Sequence, residues 1–430
     1  MKFLKLLRQL FLYKDLKKRA LIVLGFLIFS RVLANIPLPD VDLDRLENLF
    51  QSNQLFGLIN IFSGGALSNF SIALLGLGPY ITAVIILQLL TFVYPKLKEM
   101  YYEGGEIGRA KFNQYARMLT VPLALIQSFG FLNFLQTQGI IFLTLFGLIR
   151  DAIIVTAGVI ILMWVGELIT EQKLGNGVSL IIFSGIVAAV PSQLAQVYFS
   201  LVPFDLSNFL QKSQLYLLFL VLAILIIAGV VFINEAERRI QLVFAKRVRG
   251  TKIYGGSTSY LPIRIAQAGV IPIIFAIAIL LFPQSLFQFL SLAKIQFFET
   301  FLSSLNNFFN NPLIFSILYF ILVFAFTYLY TSITFNPEEI SKNLQSSGAF
   351  IPGLRPGKET ERYFKNIVSR LTFFGGLFLG FIAILPYIFQ FITKTQFLAI
   401  GGTSILILVS VAIETIKKIQ SELSLREYEV

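Results

Sequence analysis

The sequence contains no cysteine and no histidine, and only 13% of its residues are charged. Without cysteine the chain has neither a disulfide framework nor a thiolate metal site, and without histidine it lacks the usual zinc ligand and proton shuttle. The low charge excludes a soluble fold, because a soluble chain carries roughly a quarter charged residues. The absence of cysteine and histidine also excludes much enzyme chemistry. We expect no cofactor, no metal and no catalytic residue.

Apolar residues dominate what remains. They make up 56% of the 430 residues, and the mean hydropathy is +0.78. A membrane-spanning helix needs about 20 mostly apolar residues, because every backbone amide must be satisfied inside lipid. Ten such windows lie near residues 20–36, 76–93, 117–136, 151–169, 178–197, 215–233, 268–290, 312–332, 371–392 and 397–416. We therefore predict an all-α polytopic membrane protein with ten transmembrane helices.

The positive charges indicate the orientation of these spans. Of 35 Lys and Arg, alternation of the spans puts 29 on the side of the N-terminus and five on the other, with Arg31 inside the first span. The positive-inside rule then places both termini in the cytoplasm. Five spans lie in an N-terminal half, 20–200, and five in a C-terminal half, 201–416. Because five is odd, the halves have opposite orientations, as in inverted-repeat proteins with a path between the halves.

The two ends of the chain are more polar. Residues 1–19 combine leucine and phenylalanine with five lysines and two arginines, a pattern typical of an amphipathic helix on the anionic cytoplasmic leaflet. The next apolar run contains Arg31 and no clear cleavage site, which favours a retained span over a signal peptide. Residues 417–430 are predicted to form a cytoplasmic tail.

One apolar segment, 57–70, is too short to cross the membrane and is interrupted at Gly64 and Gly65. A re-entrant half-helix inside protein explains it, and so does a fixed interfacial helix outside the membrane. Glycines also begin two spans, at Gly76 to Ile81 and at Gly175 to Gly177. They allow close helix packing and a changing backbone, although ordinary turns would use them too.

The spans contain few ionisable groups near their centres, where polar side chains such as Thr82, Gln88 and Gln127 predominate. A coupled ion transporter generally needs a buried ionisable relay. The sequence offers none in these central positions.

Two long connections on the predicted cytoplasmic side, 235–264 and 335–370, are the richest polar regions. Positive-inside charge explains much of their basicity. It does not explain the Pro-Gly-Leu-Arg-Pro-Gly turn at 352–357, in which turn-forming residues fix the direction of Arg355. Such an arginine suits an acidic protein surface or RNA phosphates. Because no phosphate-binding loop is evident, we expect a partner to supply any energy.

Over essentially its whole length the chain resembles the SecY family, the channel subunits of the general protein-secretion translocon. The resemblance rests on strings in the family's order, at Ile36–Asp40, Phe62–Leu67, Gly78–Ile81, Gly104–Arg109, Asn113–Tyr115, Met163–Glu171, Gly175–Gly177, Ala268–Pro272, Asn336–Pro337, Gly348–Gly357 and Gly401–Ser404.

This resemblance implies two inverted five-helix halves around a central pore, a lateral gate that faces lipid, and a re-entrant plug helix at about 58–68. The implied plug residues are Ile59, Asn60, Ile61, Phe62, Ser63, Gly64 and Gly65. The implied pore ring is Leu77, Ile81, Val178, Ile182, Ile274 and Ile407. The implied lateral gate residues are Thr82, Gln127 and Ala266, the last of which stands where the family commonly has asparagine.

The resemblance also implies partners. A SecA ATPase or a translating ribosome would dock on the two long connections, and SecE and SecG would be small membrane subunits. The implied docking residues are Arg238, Arg239, Lys246, Arg247, Arg249, Lys252, Arg355, Pro356 and Gly357. The substrate would be an unfolded polypeptide with a signal sequence, moved across or released laterally into the cytoplasmic (inner) membrane without any covalent change.

Two other function classes stay open at this stage. A ten-span secondary solute transporter with inverted halves would share the same topology. A polytopic membrane enzyme would need a carboxylate pair within the spans. The scarcity of central charge and the elaborate docking turn favour the channel.

Overall fold

The computed structural model describes residues 13–39, 63, 65–67, 69–102, 104–137, 139, 141–201, 206–244, 247–249, 252–254, 258–265, 267, 269, 271–290, 311–393 and 396–427. The helices within these residues are α1 (Lys14–Leu33), α2 (Gly78–Val93), α3 (Pro95–Tyr102), α4 (Gly105–Thr137), α5 (Leu145–Glu171), α6 (Gly177–Leu201), α7 (Leu206–Glu235), α8 (Ile271–Leu290), α9 (Pro312–Thr334), α10 (Pro337–Ser346), α11 (Lys358–Thr393) and α12 (Gln396–Glu427). The strands are β1 (Glu237–Phe244), β2 (Arg247–Arg249), β3 (Lys252–Tyr254), β4 (Thr258–Arg264) and β5 (Ala349–Phe350).

Ten of these helices correspond to the ten predicted spans; α3 and α10 are short additions in the connections. By length and composition, four described helical segments qualify as membrane spans on their own, and a fifth qualifies if α2 and α3, which meet at a bend of 113°, count as one. The prediction of an all-α, ten-helix membrane fold is confirmed.

Local sequence explains where several helices begin. Asn311 and Asn336 each precede a proline, and each amide oxygen accepts a hydrogen bond from a backbone N–H in the first turn. Proline suits the first helical position because its missing N–H is not needed there. Thr144 caps α5 in the same way, with its hydroxyl accepting from the Gly147 amide at 3.2 Å.

The two halves pack their helices in the same pattern. In the N-terminal half α2 packs on α4, α4 on α5, α5 on α6, and α1 on α5 and α6. In the C-terminal half α8 packs on α9, α9 on α11, α11 on α12, and α7 on α11 and α12. Each pair of the second set corresponds to a pair of the first, shifted by five spans. This arrangement agrees with the repeat that the span count predicted, although residue-level similarity between the halves is not evident.

The halves meet along two seams. On one side α8 lies against α2 and α4; on the other, α6 lies against α12 and α7. The largest hydrophobic cluster among the described residues combines buried side chains from both halves.

Several helices are longer than the apolar windows. Helix α4 has 33 residues, about 50 Å at the usual rise, against a hydrocarbon thickness of about 30 Å. Its first turns therefore hold Arg109 and Lys111, which the sequence pattern had assigned to a connection. Helix α1 likewise begins at Lys14, inside the predicted amphipathic segment, and α12 continues to Glu427, through most of the predicted tail.

The two polar connections contain strands, which the sequence analysis did not predict. Strand β1 follows α7 after the single residue Ala236 and pairs antiparallel with β4, from Glu237 opposite Arg264 to Val243 opposite Thr258. On its other edge β1 pairs with β5 from the later connection. We call this three-stranded sheet, in the order β4-β1-β5, together with residues 351–357, the loop platform. The end of the bundle that carries it is the sheet end.

Candidate functional site

The six predicted ring residues belong to one hydrophobic cluster. Leu77, Ile81, Ile182, Ile274 and Ile407 are buried, and Val178 is partly buried against them. Ile182 and Ile407 have no exposed surface. We call this set the aliphatic ring. Packing alone can account for aliphatic residues at buried sites, so burial by itself does not assign the ring a function.

The positions of the ring residues are more specific than their burial. Leu77 and Ile81 lie at the start of α2, and Val178 and Ile182 lie in the first turns of α6. The other two come from α8 and α12, which are the helices equivalent to α2 and α6 in the second half. The ring is therefore built from two pseudo-symmetric pairs of helices, α2 with α8 from one seam and α6 with α12 from the other.

Close packing positions α6. A Cβ on Gly177 would overlap the carbonyl oxygen of Gly166 on α5. Thr170 holds the same turn, since its hydroxyl accepts a hydrogen bond from the Gly177 amide at 2.9 Å. Of the two interpretations left open for this glycine, close helix packing agrees with the approach to α5. Gly78 differs, because a Cβ there would meet nothing within 4 Å.

Of the predicted plug residues, Ile59, Asn60, Ile61, Phe62 and Gly64 lie outside the described residues. The other two are Ser63, which is buried, and Gly65, which has a φ of +83°. The Ser63 hydroxyl accepts from the Leu67 amide at 3.1 Å. The chain that follows the glycines is thus tied into the protein rather than exposed.

The segment after the predicted plug is anchored on the chain that follows α1. The Leu38 amide donates to the Phe70 carbonyl at 2.8 Å, and the Ile72 amide donates to the Ile36 carbonyl at 3.0 Å. Helix α5 covers this pairing so closely that a Cβ on Gly158 would overlap the Ile72 carbonyl oxygen. Ile36 and Leu38 therefore fix the backbone that follows the predicted plug segment.

The predicted gate residues lie beside the first seam. Thr82, on α2, is buried, and its hydroxyl donates to the Gly78 carbonyl at 2.9 Å. Gln127 is buried on α4. Both helices pack against α8, so the seam joins them to the opposite half. Ala266, the third gate position, lies outside the described residues.

The loop platform brings the two predicted docking connections together. Ile240 and Leu242 of β1 share a small core with Ile351, Phe364 and neighbours from the later connection. Arg238 and Arg239 are exposed on β1, and the Arg239 side chain pairs with Glu237 at 2.7 Å. Strands β2 and β3 carry Arg247, Arg249 and Lys252, while Lys246 lies outside the described residues.

Hydrogen bonds hold the turn around Arg355 on both sides. The Arg355 amide donates to a Glu359 carboxylate oxygen at 3.2 Å, and the Thr360 hydroxyl donates to the Arg355 carbonyl at 2.9 Å. The Ser341 hydroxyl donates to the carbonyl of Gly357 at 2.7 Å. The side chain of Arg355 is exposed, and among the described residues no carboxylate pairs with its guanidinium. A fixed backbone with a free cationic head suits capture of an external anion.

Two glycines give this turn its shape. Gly353 has a φ of +83° and Gly357 a φ of +102°, values that residues with a Cβ rarely adopt. Pro356, between them in the chain, is exposed beside Arg355. The prediction that turn-forming residues fix the Arg355 position agrees with this geometry.

The adjacent helix α10 contributes an acidic surface at its N-terminus. The Lys342 side chain hydrogen-bonds to Glu338 at 2.7 Å, and this bond lowers the pKa of the Glu338 carboxyl below its usual value. The negative charge of Glu338 is therefore retained at neutral pH, near the positive end of the α10 dipole.

Two ion pairs between helices were missed by the sequence analysis. Arg117 of α4 pairs with Glu167 of α5 at 2.7 Å. Lys417 of α12 pairs with Glu235 at the end of α7 at 2.9 Å. Each joins residues far apart in the chain, so no local spacing signals it, and Lys417 had been placed in the tail.

Comparison with known proteins identifies the family. The SecY family profile matches residues 71–416. The protein translocase subunit SecY of Synechocystis sp. is 40% identical over 96% of this chain and 93% of its own length. Two similar solved structures are "The structure of a protein conducting channel", with a TM-score of 0.63 and 19% identity, and "Sec61 in the Canine ribosome-channel complex from the endoplasmic reticulum", with 0.61 and 18%.

Each of these structures covers 93% of this chain and is covered over 91% of its own length. At such low identity the likeness shows the shared fold. The family follows instead from the profile match and from the full-length sequence similarity. On these grounds, the chain belongs to the SecY family.

Proposed function

We propose that this chain forms the protein-conducting channel through which unfolded, signal-sequence-bearing polypeptides cross the cytoplasmic membrane or enter it sideways. The observation that carries the proposal is the aliphatic ring, assembled between the halves from two pseudo-symmetric helix pairs, one from each seam. A path between inverted halves passes through this place and no other described cluster occupies it.

The chemistry of the ring suits a polypeptide better than a solute. Aliphatic side chains form no directional contacts, so they accept any passing sequence. A narrow apolar collar also resists wetting and so opposes ion passage at rest. A solute site would instead need polar groups that fix the orientation of one ligand.

The two seams have different roles in this proposal. The seam of α8 with α2 and α4 opens toward lipid, which would let an apolar signal segment leave sideways, and Thr82 and Gln127 lie beside it. The opposite seam of α6 with α12 and α7 acts as the hinge. The segment 58–68 would close the pore from the far end and move aside when a chain enters.

The sheet end is proposed to face the cytoplasm, with both chain termini on that side, because the lysine and arginine distribution follows the positive-inside rule. There the loop platform presents Arg238, Arg239 and Arg355 to a partner. That partner is a SecA ATPase or a translating ribosome, and SecE and SecG are the small membrane subunits. The channel itself changes no covalent bond.

Reconstitution tests the proposal. The purified chain with its small subunits is placed in vesicles with an external ATPase, ATP and a signal-bearing polypeptide. We expect the polypeptide to become protease-protected only when both ATP and the signal sequence are present. Protection that requires neither ATP nor the signal sequence would contradict the proposal. So would a fully assembled complex that protects no polypeptide.

The alternative of a secondary solute transporter makes a different prediction in the same vesicles. It requires solute accumulation driven by an ion gradient without any partner. Such uptake in the absence of polypeptide translocation would favour the transporter.

A further inference from the structure

The ammonium group of Lys417, on α12, makes two contacts at the end of α7. It donates to the backbone carbonyl of Asn234 at 2.7 Å and pairs with the Glu235 carboxylate at 2.9 Å. Asn234 is the second-to-last residue of α7, so its carbonyl is one of those that the helix leaves unpaired. A cation at this position also interacts favourably with the negative end of the helix dipole.

The end of α7 is the root of the loop platform. Only Ala236 separates α7 from β1, and its backbone is held on both sides. Its amide donates to the Phe232 carbonyl at 2.9 Å, and its carbonyl accepts from the Ile265 amide at 3.0 Å. Ala236 therefore joins β1, which carries Arg238 and Arg239, directly to the residues that Lys417 binds.

The neighbours of Lys417 on α12 reach both seams. A Cβ on Gly269, before α8, would lie 3.8 Å from an oxygen of Glu414. A Cβ on Gly175, before α6, would lie 3.5 Å from the Thr415 hydroxyl. The ring residue Ile407 lies ten positions before Lys417 on the same helix. One turn of α12 thus binds the end of α7 and passes close to the residues that precede two ring-bearing helices.

We propose that Lys417 is a positioning residue that couples the loop platform to the aliphatic ring through α12. This inference rests on the proposed function, since it concerns how docking at the platform is communicated to the pore. Lys417 touches neither the partner nor the polypeptide. It keeps α12 in register with α7 when the platform moves.

The expected effect of losing this link is modest. The side chains of Lys417 and Glu235 are 22% and 59% exposed, and partly exposed pairs contribute little to stability. The hydrogen bond to the Asn234 carbonyl is charge-assisted and adds to the link. We therefore expect normal folding, together with a fall of about fivefold in maximal translocation rate.

Three variants of the full chain, assembled with its small subunits in vesicles, test the inference. Lys417→Met keeps the length of the side chain and removes both contacts, while Lys417→Arg keeps a cation and its donors. Lys418→Met removes the same charge from the adjacent, exposed position and is the matched control. Each is measured for affinity of the ATPase, maximal translocation rate, resting ion conductance and thermal unfolding midpoint.

We expect Lys417→Met to lower only the maximal rate, while affinity, conductance and unfolding midpoint match the wild type. Lys417→Arg should recover most of the rate, and Lys418→Met should behave as wild type. An unchanged rate in Lys417→Met overturns the inference, and so does a fall in rate with equal losses of stability or of ATPase affinity. A wild-type complex that translocates nothing would instead refute the proposed function, so the two failures are distinguishable.

Discussion

Val243 of β1 pairs with Phe350 of β5 on one side and with Thr258 of β4 on the other. Through this register the two polar connections of the C-terminal half form a single backbone ladder, although Val243 and Phe350 are 107 positions apart in the chain. Arg239 and Arg355 therefore belong to one rigid surface rather than to two independent loops.

Engineered cysteines test this register, because the chain has no native cysteine to interfere. Opposed residues of antiparallel strands have Cα atoms about 5 Å apart, which is within disulfide range. Val243→Cys combined with Phe350→Cys should oxidise readily, and thiol labelling measures the loss of both free thiols. Thr258→Cys combined with Phe350→Cys is the control, since two strand spacings, about 9.6 Å, separate them. Equal oxidation of both pairs would contradict the register.

Charge reversal at the Arg355 turn should abolish docking. In Arg355→Glu the exposed guanidinium is replaced by a carboxylate that repels an acidic partner, whereas the backbone hydrogen bonds of the turn remain. We expect translocation to be lost in vesicles while membrane insertion and thermal unfolding are unchanged, because an exposed residue contributes little to stability. Lys358→Glu, also exposed and three residues later, should retain most activity. Near-normal transport by Arg355→Glu would remove this residue from the docking site.

Polar substitution in the aliphatic ring should make the resting channel leak. The double variant Ile81→Asn and Ile182→Asn brings amide groups into the collar and favours its wetting. Single-channel recording in planar bilayers should show a raised resting conductance, and poor signal sequences should be accepted more readily. Leucine at both positions preserves volume and polarity and should leave the conductance low. If the asparagine variant stays closed, the ring residues serve packing only.

A single methyl group should destabilise the contact between α5 and the segment that follows the plug. In Gly158→Ala the new Cβ overlaps the carbonyl oxygen of Ile72. This oxygen belongs to the backbone, so it cannot move away by a change of side-chain rotamer. Such overpacking costs about 1–3 kcal/mol, so the thermal unfolding midpoint of the purified protein should fall. Gly25→Ala on α1 is the control, because a Cβ there meets nothing within 4 Å. Equal midpoints in the two variants would contradict the close approach.

The sequence predicted the ten-helix fold well because its main signal is local. An apolar run such as 151–169 must be helical in lipid, whatever its neighbours are. The lengths were less predictable, since polar first turns such as those of α4 continue a helix without any apolar signal. Strand β5, only two residues long, was missed because it pairs with β1 only after the two connections meet.

The parts of the site differ in how well the sequence predicts them. The turn residues around Arg355 stand together in the chain, so their purpose could be inferred before the structure. The ring residues were indicated only through family resemblance, because an aliphatic residue in an apolar span carries no distinguishing signal. The link from Lys417 to α7 joins residues 183 positions apart, and no periodicity points to such a pair.

The central claim, that a polypeptide passes between the halves through the aliphatic ring, is tested most directly by photo-cross-linking during transport. A photoreactive side chain replaces Ile407 in the ring or, as the control, Ile317 of α9, whose side chain is 61% exposed on the bundle surface. A signal-bearing polypeptide arrested in transit is then illuminated in vesicles. We predict a cross-link from position 407 that requires ATP and the signal sequence, and none from position 317. Capture at 317 without capture at 407 would show that the chain does not pass through the ring and would contradict the account.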